Sequence, residues 1–177
     1  MQAAAMPLES DPVRPSAAPQ PRLQIFLLVV AVVQVLGSML AVPILFGDIS
    51  EIPGPGLGGW TITAVIVANP FVAIAALVFA LTGRLRHAIV AIAALGLLDW
   101  LNYLPSYVEH GLNLDASYAS LITLNQFFVL PALCIAGIVF AIRDERLTLA
   151  SVLVSVPLLV NILGFVTFGI GVAINGF

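Results

Sequence analysis

With 61% apolar and only 8% charged residues over 177 positions, the chain departs from water-soluble domains, in which about a quarter of residues are charged. A mean hydropathy of +1.13 points the same way, so lipid is the solvent this composition suits. Six basic and nine acidic groups give a net charge of −3, which offers no surface for nucleic acid, and the single cysteine has no partner for an internal disulfide.

All six basic residues are arginines. With the abundant Ala, Val, Gly and Pro, this reads as a GC-rich, bacterial genome, an inference about codons rather than physics. Residues 1–21, "MQAAAMPLESDPVRPSAAPQP", are rich in Ala and Pro and predict a disordered cytoplasmic tail that is dispensable for folding.

A helix needs about 20 apolar residues to cross a bilayer core of about 30 Å. Five segments qualify: Leu23–Phe46, Trp60–Gly83, Ala88–Pro105, Tyr118–Ile142 and Leu147–Ala173. The expected fold is therefore all-α and integral to the membrane, a five-span bundle within residues 22–177. The first span exceeds the usual h-region, and "SMLAVP" offers no convincing cleavage motif, so it reads as an anchor and not a signal peptide. The third is short, and its helix is expected to continue past Pro105. In the fifth, Pro157, Gly164, Gly169 and Gly171 leave open whether one continuous helix forms.

Orientation follows from the arginines. Arg14 and Arg22 precede the first span, Arg84 and Arg86 join the second to the third, and Arg143 and Arg146 join the fourth to the fifth. Loops 47–59 and 106–117 contain neither Arg nor Lys. The bias predicts a cytoplasmic N-terminus and an outer C-terminus, in a multi-pass protein of the cell (inner) membrane. Trp60, Trp100, Tyr103, Tyr107 and Tyr118 fall near outer span ends, where amphipathic rings favour the headgroup level.

"PFVAIAALVFALT" (70–82) lies over "PALCIAGIVFAIR" (131–143) at an offset of 61, with six of thirteen positions identical. This suggests that spans two–three and four–five are repeated hairpins added to the first span, although convergence within a narrow apolar alphabet gives matches of the same kind.

Gly54, Gly56 and Gly59 form a formal GxGxxG. No strand precedes it and Pro55 removes an N–H, so it reads as a turn before a span. His87 and His110 bracket the third span roughly 35 Å apart at 1.5 Å per residue, too far to share a metal. No HExxH or CxxC occurs, Cys134 reads as a buried small hydrophobe, and no metal or cofactor is expected.

One carboxylate, Asp99, lies within an apolar run. Asn102 and Tyr103 follow at i+3 and i+4, and Ser106 at i+7, on one helical face. Gln34, Asn69, Asn125, Gln126 and Asn161 lie in the other spans, and together with Asp99, Asn102 and Tyr103 they form the candidate polar site. No Lys or Arg is available inside the membrane to neutralise Asp99. Two readings stand: the polar groups link helices, or they line an outward-open site for a proton, cation or ligand.

No nucleophile–base pair or close carboxylate pair is visible, so an enzyme is the least favoured function. The first expectation is a non-enzymatic accessory or assembly protein, packing in the lipid bilayer against a membrane-protein partner or as a homo-oligomer. The alternative is a small transporter or channel-like protein using Asp99.

Overall fold

The computed structural model describes residues 20–46, 56–112, 123–144 and 146–175. The expected tail, most of the first outer loop, and Tyr118 lie outside them. The described chain forms α1 (Pro21–Phe46), α2 (Leu57–Leu81), α3 (Leu85–His110), a π-helical turn (Asn125–Val129) that runs into α4 (Leu130–Ile142), and α5 (Leu147–Asn175). No strand occurs among the described residues. Four stretches, Pro21–Leu40, Leu57–Leu81, Leu85–His110 and Asn125–Ile142, are long and apolar enough to cross a membrane. In a medium without water every backbone N–H and C=O must find its partner inside the segment, which is why such sequences become helices despite their β-branched content.

Consecutive helices run antiparallel. Gln24 near the start of α1 donates from Nε2 to the Ala80 carbonyl at the end of α2, 3.0 Å away. Arg86 pairs with Asp144 across the two tight turns α2–α3 and α4–α5. The starts of α1, α3 and α5 therefore share one end of the bundle with Arg22, Arg84, Arg86, Arg143 and Arg146. Trp60, Trp100, Tyr103 and Tyr107 lie toward the other end.

The α2–α3 turn is set by Gly83, whose φ of +71° is the left-handed conformation that glycine adopts without penalty. The Arg84 and Gly83 N–H groups bond the Phe79 and Ala80 carbonyls, the pattern of a Schellman ending. Sixty-one residues on, Asp144 adopts φ +58°, and its N–H bonds the Ala141 carbonyl, the counterpart of Ala80. Aspartate is among the few side chains that tolerate this region.

α3 is the hub and contacts every other helix. Its buried face, Ala88, Ile89, Ala91, Ile92, Ala93, Leu95 and Gly96, is mostly small. Small residues also form the buried stripes of α2 (Ala73, Ala76, Ala80) and α4 (Cys134, Gly137, Ala141). Between helices in lipid, where burial of apolar surface supplies no drive, such stripes let backbones approach and dispersion accumulate. The large apolar side chains, Ile25, Leu36, Phe71, Ile135 and Leu163 among them, are exposed on the outside.

The approach of α3 to α4 depends on glycine. A Cβ on Gly96 would lie 2.6 Å from Cys134 Sγ, so the buried thiol occupies the space a side chain would need. Gly96→Ala is expected to cost about 1–3 kcal/mol, and Cys134→Ala in the same chain to recover most of it. Equal melting shifts with and without Cys134→Ala would show that this contact does not set the α3–α4 spacing.

α3 runs without a break through Pro105 to His110, beyond the apolar stretch that ends at Pro105. Proline there withholds one N–H, leaving the Leu101 carbonyl without its i+4 donor, and the rest of the ladder persists. Gly58 in α2 lies against it: an added Cβ would meet Pro105 Cβ at 3.0 Å. α5 is likewise one helix through Pro157 to Asn175.

Candidate functional site

Asn69 precedes Pro70 in α2, and Asp99 lies in the third turn from the end of α3. Asn69 Nδ2 donates to Asp99 Oδ1 over 3.2 Å, so the carboxylate of one helix is held by an amide of its neighbour. The amide's other end differs. Asn69 Oδ1 is buried and accepts no hydrogen bond among the described residues. Two acceptors, the carboxylate and the amide oxygen, therefore belong to one pair with a single donor between them. Tyr103, one turn along α3, is half-buried and within electrostatic reach of Asp99.

A second linkage joins α3 to the π-helical turn. Pro131 brings no N–H to the Phe127 carbonyl, which an α-helical residue at that position would have bonded. Trp100 Nε1 donates to that carbonyl at 3.2 Å. Two turns further out, Tyr107 donates from its hydroxyl to Gln126 Oε1 at 3.0 Å. The Phe127 ring stands between them, 6.2 Å from Trp100 and 5.5 Å edge-on to Tyr107, separations typical of attractive aromatic pairs. The π-helical turn inserts extra backbone ahead of the proline, and such turns are frequent at functional sites.

The remaining predicted residues do not join these pairs. Asn102 and Ser106 are exposed, and Gln34 on α1, Asn125 on the π-helical turn and Asn161 on α5 are half-buried. None of their side chains makes a hydrogen bond among the described residues. Ser38, Ser151 and Ser155 are buried and donate to carbonyls of their own helices, with distances of 2.7–2.9 Å. The His87 ring lies tilted against Phe79 with centroids 5.3 Å apart, and His110 Nδ1 lies 3.1 Å from the Ser106 carbonyl, each at its own end of α3.

The side-chain bonds from α3 to its neighbours thus occur separately, on two seams. Of the residues singled out from sequence, Asn69, Asp99 and Gln126 take part in these bonds, whereas Trp100, Tyr107 and Phe127 were not placed among them. The signal was present: a proline at 131 frees the carbonyl at 127, and an indole is a donor without an acceptor of its own. No protein family, curated protein or solved structure matches the chain.

Proposed function

We propose that this is a non-enzymatic accessory or assembly protein of a bacterial inner membrane, with five spans, the N-terminus inside and the C-terminus outside. Gathering of the arginines at one end of an antiparallel bundle supports the orientation, and the 29-residue α5 supports a fifth crossing. Matching buried stripes and matching turns at an offset of 61 support a repeated hairpin.

The observation that carries the functional reading is the bond from Asn69 to Asp99. The carboxylate is used as a link between α2 and α3, and the other interhelical polar groups are likewise used as links. Meanwhile the bundle presents broad apolar faces outward, on which a partner helix or a second copy can pack.

A second reading is favoured by one specific observation, the buried and unpaired Asn69 Oδ1 beside Asp99. A donor or cation bound at Asn69 Oδ1 would satisfy the unpaired acceptor, and a proton or cation at Asp99 would offset its charge, as a transporter's site requires. Purified chain in liposomes loaded with a pH-sensitive dye separates the two. The assembly reading predicts no flux above protein-free vesicles and co-elution with a membrane partner, or as an oligomer, in mild detergent. Proton or cation flux that disappears in Asp99→Asn would overturn it in favour of transport.

A further inference from the structure

At the basic end, the first turns of α1 and α5 enclose an open groove of about 600 Å³, within the roughly 300–1,000 Å³ of ligand sites. It is lined by Leu23, Phe26, Val152 and the buried Ser151, with Arg22 and Thr148 exposed at its edge. Phe26 and Val152 are exposed toward the outside of the bundle, while Leu23 is buried at the base. The Ser151 hydroxyl is committed to the Thr148 carbonyl at 2.7 Å. Arg86 at the same end is paired with Asp144, whereas neither the Arg22 guanidinium nor the Thr148 hydroxyl has a partner among the described residues.

The geometry points to an anionic phospholipid in this groove, its phosphate at Arg22 and Thr148 and the upper part of an acyl chain against Phe26 and Val152. The site rests on reading the bundle as a membrane protein. A cation at the mouth of an apolar slot complements a molecule that is anionic at one end and apolar along its length. Both α1 and α5 begin here, so the free N–H groups and positive dipole ends of two helices add to the attraction. The arginine-bearing end is also the one that faces the anionic cytoplasmic leaflet in the proposed orientation, and basic pockets between helices on that side suit such headgroups. Lipid is moreover the solvent into which the slot opens, present at far higher concentration than any protein partner.

The test uses the full chain reconstituted in phosphatidylcholine vesicles with and without phosphatidylglycerol, extracted in mild detergent and weighed intact by native mass spectrometry. Phosphatidylglycerol should be retained in preference to phosphatidylcholine. Arg22→Gln should lower that retention about fivefold, the worth of one basic side chain at a membrane surface. Arg84→Gln, at the same end but outside the groove, should leave it unchanged. Val152→Trp, which fills the slot, should displace the lipid from a chain whose helical circular dichroism is unaltered.

Equal losses from Arg22→Gln and Arg84→Gln would overturn the site, since they signify diffuse surface charge. Retention that rises severalfold on deleting Met1–Pro19 would overturn it as well, with the chain's own N-terminal segment as the occupant, and so would a dimer that forms only as phosphatidylglycerol leaves. A chain held in vesicles without lipid preference defeats this site alone. A chain that stays in the soluble fraction defeats the membrane reading and the site with it.

Discussion

A leucine at Gly137 should prevent the α4–α5 hairpin from closing, with a loss of about 3 kcal/mol or more and little folded protein recovered. An ideal Cβ at Gly137 would sit 2.3 Å from Val154 Cγ1 and 3.4 Å from the Ala150 carbonyl. Both neighbours belong to α5, and neither yields easily. The carbonyl is backbone, and valine in a helix is confined to one strongly preferred rotamer, so Cγ1 cannot swing away. Alanine at 137 should therefore already cost about 1–3 kcal/mol. Val154→Ala removes the offending methyl and should rescue most of the alanine variant and little of the leucine one. Thermal unfolding in detergent, followed by loss of helical circular dichroism, checks the series. Normal melting of Gly137→Leu would mean that α4 and α5 are not packed at this distance.

The second large effect is expected at Asp99, where the size depends on what is left behind. Asp99→Asn keeps the shape and an oxygen to accept from Asn69, and should cost at most about 1–2 kcal/mol, the range of interhelical hydrogen bonds in membranes. Asp99→Leu leaves the Asn69 amide with neither end bonded, because Asn69 Oδ1 already lacks a partner. A buried polar group so stranded costs about 1–3 kcal/mol. Removing the carboxyl group returns part of that, since a polar ionisable side chain in a span carries its own insertion cost. Asp99→Leu with Asn69→Leu strips both ends of the bond and should recover stability relative to Asp99→Leu alone. If the single leucine variant melts with wild type, the carboxylate contributes nothing to holding α2 against α3.

Much of this was legible in residue order because lipid imposes so few solutions. Runs of apolar residues predicted helices, and four of the expected spans coincide with helices able to cross a membrane. The alternation of arginine-bearing turns with loops lacking them anticipated which helix ends lie together. Asp99 drew attention because a carboxylate amid Leu and Ala is costly to desolvate, and its neighbour Asn69 was among the polar residues gathered with it. Which acceptor meets which donor was not legible. Asn102 shares a helical face with Asp99 on spacing alone, yet it is exposed, because the orientation of α3 is fixed by its stripe of small residues and not by its polar ones. The π-helical turn was also hidden. It lies just ahead of Pro131, and its Phe127 carbonyl is bonded by Trp100 from another helix, a tertiary contact that no local periodicity encodes. The continuation of the third helix past Pro105, by contrast, was expected from its short apolar run, and α3 runs on to His110.

The proposed orientation underlies both the assembly reading and the lipid groove, and alkaline phosphatase fusions in a bacterial host test it directly, since the enzyme is active only after export. Fusion after Phe177 should give an active reporter and fusion after Arg86 an inactive one. An inactive reporter at Phe177, or an active one at Arg86, would contradict an N-terminus inside with five crossings.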